Sequence, residues 1–256
     1  IGGVDSDGNY VSDVEIYDPE ADQWTTGASW PHPGIAWNLV VGNLLCTVGG
    51  YQDLDTPIRR QVECYDPESD TWIEKEQVPE AYSSFSPIVY DGKVYILGGS
   101  DNQFQVMDTA YVFDPLENQW TTCASLPEGR ALMGAVVVGD SIYLTGGFGE
   151  DTFSEDPEGA EDQRMLAYTP ETDTWREEPQ MPTARADYGL AETGGKIAVF
   201  LGVTEGPAME LFDPATHTWS VGDEPPELPD FGAFTYTSYQ DALHLLEVAS
   251  INMDAS

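Results

Sequence analysis

The sequence predicts an all-β fold made of four-stranded antiparallel units, and three observations support this prediction. A tryptophan recurs along the 256-residue chain with gaps of 48, 48, 55 and 44 residues. A glycine pair ends a short apolar run in most of the units, and turn signals divide each unit into short runs. Spacing of this kind indicates an internal repeat. The five tryptophans are Trp24, Trp72, Trp120, Trp175 and Trp219.

Each unit reads as the same four strands, named a, b, c and d in chain order. In one unit the run FSPIVYD is strand a, Asp91-Gly92 is a turn, and KVYILGG is strand b. A polar loop, strand c (TAYVFD) and strand d around Trp120 follow. Asp-Gly supplies the positive φ of a tight hairpin, and Asp-Pro places proline at the second position of a type I turn. The a–b and c–d pairs are therefore predicted to be hairpins.

A four-stranded unit has two hydrophobic faces that it cannot bury alone. Stacking such units around an axis buries both faces, so the repeat predicts a β-propeller. An N-terminal fragment with strands c and d and a C-terminal fragment with strands a and b would form one composite blade, because ring closure removes two exposed edges. The complete units cover roughly residues 34–78, 82–126, 130–181 and 185–225.

The repeat resembles the kelch repeat, in which a double glycine precedes an aromatic residue and then a tryptophan in units of about 50 residues. The phrases VECYDPESDTW and GKVYILGG resemble the kelch domains of BTB-kelch adaptors of cullin-type ubiquitin ligases. The resemblance implies an all-β, kelch-type β-propeller of five or six blades with a composite closing blade. It also implies a single domain over residues 1–256 that belongs to a longer chain.

The chain is strongly acidic, with 46 Asp and Glu, 9 Lys and Arg, and a net charge of −37. Such a surface repels phosphates and anionic lipids, so neither nucleic acid nor a membrane is an expected partner. The charge indicates solubility, a basic partner or a saline setting. The odd set Cys46, Cys64 and Cys123 has no metal-like spacing and indicates no disulfide framework. The expected localisation is therefore cytoplasmic.

In kelch propellers the b-to-c and d-to-a loops share one face, which the resemblance makes the docking face for a protein or peptide. Arg130 and Arg185 lie at equivalent places, each three residues after a proline at the entry to strand a. By resemblance they would grip an acidic peptide, and a guanidinium suits a carboxylate. Alternatively, each arginine pairs with an acid of this chain. The other candidate partner-binding residues are Tyr51, Gln52, Tyr82, Ser83, Ser100, Asp101 and Phe148.

One b-to-c loop, at 148–163, is longer than the others and acidic. Three interpretations stay open for it: selection of a basic partner, self-inhibition by competition for the arginines, and a disordered tip. The tryptophans and the tyrosines of the Tyr-Asp-Pro phrases are interpreted as core, because they recur at fixed places in the units.

Catalysis, a metal and a cofactor are not expected. A copper oxidase on kelch-like blades would need histidines that converge on the axis, but His32, His217 and His244 are predicted on separate connections and strands. Two hypotheses on function remain. The first is the substrate-recognition module of a BTB-kelch adaptor, which contacts the cullin only through regions outside this chain. The second is a kelch protein of a salt-loving microbe that binds a surface or carbohydrate ligand.

Overall fold

The structure is a computed structural model, and every element of regular structure among its described residues is a β-strand. No helix in this described part of the chain is long and apolar enough to cross a membrane. The strands fall into two compact units, Ile1–Ser125 and Leu126–Ser256. The described residues are 1–3, 5, 7–51, 58–80, 85–101, 103, 105–149, 163–185, 188–200, 207, 209–222, 233–239 and 242–248.

Unit 1 contains one two-stranded sheet and two four-stranded sheets. Its strands are β1 (Val14–Asp18), β2 (Gln23–Gly27), β3 (Ile35–Val41), β4 (Leu44–Tyr51), β5 (Val62–Asp66), β6 (Thr71–Lys75), β7 (Ser86–Tyr90), β8 (Lys93–Leu97), β9 (Ala110–Asp114) and β10 (Gln119–Thr122). The sheets are β1-β2, β3-β4-β5-β6 and β7-β8-β9-β10, and all neighbours are antiparallel. The two four-stranded sheets contact each other through β3 and β7.

Unit 2 repeats this arrangement with two four-stranded sheets and one two-stranded sheet. Its strands are β11 (Gly134–Val138), β12 (Ser141–Thr145), β13 (Met165–Thr169), β14 (Thr174–Glu178), β15 (Gly189–Thr193), β16 (Lys196–Phe200), β17 (Met209–Asp213), β18 (Thr218–Val221), β19 (Ala233–Tyr239) and β20 (Ala242–Val248). The sheets are β11-β12-β13-β14, β15-β16-β17-β18 and β19-β20. The predicted order of strands a, b, c and d is therefore correct in all four complete units.

The c-to-d hairpins are closed by the side chains of the Asp-Pro phrase. In the β5–β6 turn, Asp66 Oδ1 accepts a hydrogen bond from Glu68 N at 2.9 Å. The turn ends at Asp70, whose φ is 52°, and the Tyr65 hydroxyl donates to Asp70 Oδ1 at 2.8 Å. Asp and Asn tolerate this left-handed backbone better than most residues. The tyrosine and the two aspartates of the phrase therefore build one turn.

The tryptophans of strand d join neighbouring sheets within each unit. Trp72 Nε1 donates to the carbonyl of Ala28 at 2.8 Å, and Trp120 and Trp219 make equivalent bonds to Glu76 and Pro179. These three tryptophans are half-buried, and Trp120 and Trp219 pack against the hydrophobic cores of their units.

The first repeat departs from this pattern. Trp24 is 68% exposed and Tyr17 is 44% exposed, because β1–β2 is the first sheet of unit 1 and no earlier described strand of that unit covers it. The interpretation of these two aromatic residues as core is therefore wrong for the structure as described. They pack on each other, with ring centroids 5.1 Å apart.

The first glycine of a pair makes room for an aromatic side chain of the next sheet. Tyr188 precedes β15, and its hydroxyl bonds the backbone oxygen of Thr145 and lies 3.1 Å from Gly134 N. A Cβ on Gly146, which has a φ of +59°, would lie 2.7 Å from that hydroxyl. Glycine at this place thus permits close packing of successive sheets as well as the turn of the chain.

The core of unit 1 contains a disulfide. Cys46 on β4 and Cys64 on β5 are directly opposite in the strand register, are both buried, and are bonded to each other. The expectation of no disulfide is wrong, because residues 18 positions apart become cross-strand neighbours only when the sheet forms. Cys123 is not part of a disulfide. The cysteines therefore give no support for a reducing compartment.

Candidate functional site

The candidate surface in unit 2 is built where the d-to-a connection before β11 meets the b-to-c connection after β12. Ala131 N donates to the carbonyl of Phe148 at 3.0 Å, and Phe148 N donates back to Ala131 at 2.9 Å. Two candidate residues, Arg130 and Phe148, are thereby brought together. Phe148 is half-buried and Arg130 is buried, with 2% of its surface exposed.

Leu132 is a surface feature that the sequence reasoning did not find. Its neighbours Ala131 and Met133 are 0% and 6% exposed, whereas Leu132 is 49% exposed. Its backbone is left-handed, with a φ of 56°. The only signal in the sequence is an apolar residue between strands, which is too common to single out. We refer to Ala131–Met133 together with Phe148 as the Leu132 ridge.

The second predicted arginine has a structural partner. Arg185 Nε and Nη2 donate to Glu210 Oε2 at 3.2 and 3.0 Å, and Nη2 also donates to the carbonyl of Pro207 at 2.7 Å. The two side chains are 0% and 3% exposed. Thr183 Oγ1 donates to the other oxygen of Glu210 at 3.0 Å. This is the pairing with an acid of the chain that the alternative interpretation expects.

The glutamate that accepts the hydrogen bonds of Arg185 has a counterpart at the same position of strand c in another repeat. Glu63 on β5 is 4% exposed, accepts a hydrogen bond from Trp30 Nε1 at 2.7 Å, and lies 2.7 Å from His32 Nδ1. In β13 the equivalent residue is Leu166, which has no carboxylate to pair with Arg130 of the same repeat. Arg130 therefore interacts with groups other than this position of strand c. Strand c thus presents a buried carboxylate to the d-to-a connection in two of the four-stranded repeats and an apolar residue in a third.

A second ion pair lies beside the Leu132 ridge. Both terminal nitrogens of Arg164 contact the carboxylate of Glu128, and the two side chains are 38% and 46% exposed. A Cβ on Gly149 would lie 3.4 Å from Glu128 Oε1 and 4.0 Å from Arg164 Nη2. The pair therefore borders the chain just after Phe148, and neither residue was among the predicted site residues.

Two candidate residues of unit 1, Ser100 and Asp101, are neighbours in one b-to-c loop. Ser100 is buried and bridges to Val106, while Asp101 Oδ1 accepts hydrogen bonds from Gln103 N and Gln105 N at 2.8 and 2.9 Å. These bonds hold the backbone of Gln103 and Gln105 to the Asp101 side chain. The backbone of Tyr51 ends β4, but its side chain lies outside the described part. Also outside it are Gln52, Tyr82, Ser83 and most of the acidic loop, residues 150–162.

A polar cluster joins the two four-stranded sheets of unit 2. Arg176 donates to Glu178 Oε1 at 2.8 Å and to the Tyr143 hydroxyl at 2.9 Å, and His217 Nδ1 lies 2.6 Å from Glu178 Oε2. Burial raises the pKa of Tyr143. The Glu178 side chain is 1% exposed, so a buried carboxylate links Arg176 of one sheet to His217 of the next. Among the described residues, no group of three or more His, Cys, Asp and Glu is arranged to hold a metal.

The sequence matches known kelch repeats over most of its length. The KLHDC2/KLHL20/DRC7 Kelch-repeats domain matches residues 34–243, and the Kelch motif matches residues 1–29. The chain belongs to this kelch-repeat family. Beta-scruin of Limulus polyphemus is 49% identical over 51 residues, which are 19% of this chain and 6% of beta-scruin.

The solved structure of YjhT matches the kelch domain with a TM-score of 0.73 at 14% identity, over 96% of this chain and 93% of that chain. This likeness concerns the fold. It confirms the prediction of an all-β, kelch-type propeller, and the twenty described strands equal the complement of five four-stranded blades. The kelch repeats imply a protein-interaction β-propeller.

Proposed function

We propose that this kelch domain is a non-catalytic protein-binding module, and specifically the substrate-recognition module of an adaptor of a cullin-type ubiquitin ligase. The family match and the phrases VECYDPESDTW and GKVYILGG support this assignment. The bound partner is a protein or peptide on the b-to-c and d-to-a loops, and the cullin contact lies outside this chain. In this proposal the protein works in the cytoplasm.

The observation that carries the proposal is that described residues of these loops are held in place by local hydrogen bonds. Asp101 closes one b-to-c loop, and the Ala131–Phe148 bridge joins a d-to-a connection to another. A loop that is already ordered loses little conformational entropy on binding, so it contributes affinity that a mobile loop cannot. Rigid strands that display fixed loops are the arrangement of a binding platform.

The role assigned to Arg185 changes within this proposal. Arg185 is buried against Glu210, and a ligand carboxylate would have to displace that partner. Removing one member of a buried pair is strongly unfavourable. We therefore propose that Arg185 has a structural role in supporting the loops. The contacts with the partner are made by exposed residues that lie beside Arg185 in the fold.

Site-specific photo-crosslinking in the full-length protein tests the proposal. A crosslinker at Gln103, exposed on a b-to-c loop, is compared with one at Glu117, exposed on the c-to-d turn of the same sheet. We expect a discrete adduct from Gln103 and none from Glu117, together with a cullin in the purified complex. Equal labelling from both positions would contradict a binding face. A discrete adduct without a cullin would remove the ligase role alone.

A second candidate function is supported by the net charge of −37 and by the presence of only three lysines, Lys75, Lys93 and Lys196. A kelch protein of a salt-loving microbe that binds a surface or carbohydrate ligand would carry such a surface, because dense carboxylates keep a protein soluble in concentrated salt. The salt dependence of the stability of this domain tests this candidate.

A further inference from the structure

We propose that the Leu132 ridge is the anchor point for a basic protein segment, whose apolar side chain packs on Leu132. This inference rests on the proposed function and names a contact residue and the chemistry of its partner.

The backbone of Leu132 is unusual for its residue type. Seven non-glycine residues of the described chain have a positive φ, and six of them are Asp, Asn or His in tight turns. Those six are Asp22, Asp70, Asp91, Asn118, Asp173 and His217. Leucine lacks the short polar side chain that makes this conformation tolerable, so the conformation lowers stability. Residues with such strain are concentrated at ligand-binding positions.

The surrounding structure forces this conformation. The bridge to Phe148 holds Ala131 on one side, and Met133 is buried on the other. A Cβ on Gly147 would lie 2.5 Å from the Ala131 oxygen and 2.7 Å from Met133 Cγ, so the b-to-c connection packs tightly under the ridge. With its neighbours held inward, Leu132 is turned outward. The fold thus presents a large apolar side chain in a fixed position, which is what an interface anchor requires.

The charge of the chain indicates a basic partner. Acidic residues outnumber basic ones by 46 to 9. At least five of the nine basic side chains already pair with carboxylates of the chain itself, including Arg164 beside the ridge. The field around the molecule is therefore strongly negative, and it attracts cationic segments and repels acidic ones. In a basic segment that carries an apolar side chain, the apolar group can pack on Leu132 while the cationic groups are attracted by the negative field.

Peptide binding to three variants tests the inference. The probes are fluorescent peptides of equal length: Lys-Leu-Lys-Ser repeats, Lys-Ser repeats with the same charge, and Glu-Leu-Glu-Ser repeats. Leu132→Gly removes the side chain, and glycine adopts the left-handed backbone freely, so the urea midpoint stays the same or rises. Leu132→Asn keeps a residue that tolerates this backbone. Leu116→Gly is the matched control, because Leu116 is 93% exposed on the β9–β10 turn.

We expect the Lys-Leu-Lys-Ser peptide to bind the unmodified protein more tightly than the Lys-Ser peptide. Leu132→Gly and Leu132→Asn should weaken its binding about tenfold, with Leu116→Gly unchanged. Unchanged binding in both Leu132 variants, or an equal loss in Leu116→Gly, would overturn the inference. Tighter binding of the acidic peptide would overturn the choice of partner. If the Leu132 variants bind normally while Gln103 still crosslinks a partner, the proposed function stands and the ridge alone is rejected.

Discussion

Arg185 and Glu210 form a buried ion pair in which two guanidinium nitrogens donate to the same carboxylate oxygen, at 3.2 and 3.0 Å. The pair joins the connection before β15 to strand β17 of the same sheet. Because the two side chains are 0% and 3% exposed, loss of one partner leaves the other buried without its counter-charge. The loop before β15 therefore depends on this pair for its position.

Replacing Glu210 by leucine, the residue found at the equivalent place in β13, should destabilise the domain by about 3–5 kcal/mol, because it leaves a buried charge without its carboxylate. The measurement is the free energy of unfolding in urea. In the double variant Arg185→Met with Glu210→Leu, most of the loss should be recovered, since an apolar pair of similar volume is tolerated in place of a buried ion pair.

Lys196→Ala is the control for this comparison. It removes the exposed Lys196–Asp213 pair, whose side chains are 44% and 27% exposed, and should change stability by less than about 1 kcal/mol. A Glu210→Leu variant as stable as Lys196→Ala would show that the buried pair does not hold the loop.

Asp70→Asn should remove one source of acid sensitivity. Hydrogen bonds from the Ala28 amide and then from the Tyr65 hydroxyl lower the pKa of Asp70. A carboxyl group with a lowered pKa adds stability above its unfolded pKa of about 3.9, and this contribution is lost as the pH falls through the lower folded pKa. The stability difference between the original protein and Asp70→Asn should therefore be constant near neutral pH and shrink in acid.

Urea midpoints of both proteins at a series of pH values measure this difference. Asparagine suits the position, because Asn118 has a φ of 53° in the equivalent turn and accepts a hydrogen bond from Glu76 N at 2.9 Å. Parallel stability curves for the two proteins would contradict the prediction.

Thiol counting should separate the three cysteines. The unfolded, unreduced chain should show one reactive thiol, Cys123, and the reduced chain should show three. Reduction should lower the free energy of unfolding by about 3 kcal/mol, the entropic contribution of a crosslink that closes a short loop. Three reactive thiols before reduction would show that Cys46 and Cys64 are not bonded.

Salt should stabilise this domain through screening. At a net charge of −37 the folded chain repels itself, and the screening length falls from about 10 Å at 0.1 M salt to about 3 Å at 1 M. We expect the melting temperature to rise between these concentrations in sodium chloride, with sucrose as the uncharged control for general stabilisation. A large rise with salt supports the halophilic candidate. Equal melting temperatures at both salt concentrations would argue against it.

The repeat made most of the fold predictable. Tryptophan spacing, glycine pairs and Asp-Pro turns are local requirements of a hairpin, so they are visible in the sequence, and the strand order within each complete unit follows from them. The disulfide was not predictable, because the pairing of Cys46 with Cys64 depends on strand register. The exposure of Trp24 was missed for a related reason: burial depends on which sheet lies beside a strand.

For the candidate site too, some features were predictable from the sequence and others were not. Sequence alone determined the family pattern, the acidic surface and the positions of Arg130 and Arg185 at the entry to strand a, because these follow from composition and spacing. Only the tertiary structure decided that Arg185 is buried against Glu210 and that Leu132 is turned outward with a left-handed backbone. Both outcomes arise from contacts between segments distant in the chain, and a linear repeat does not specify such contacts.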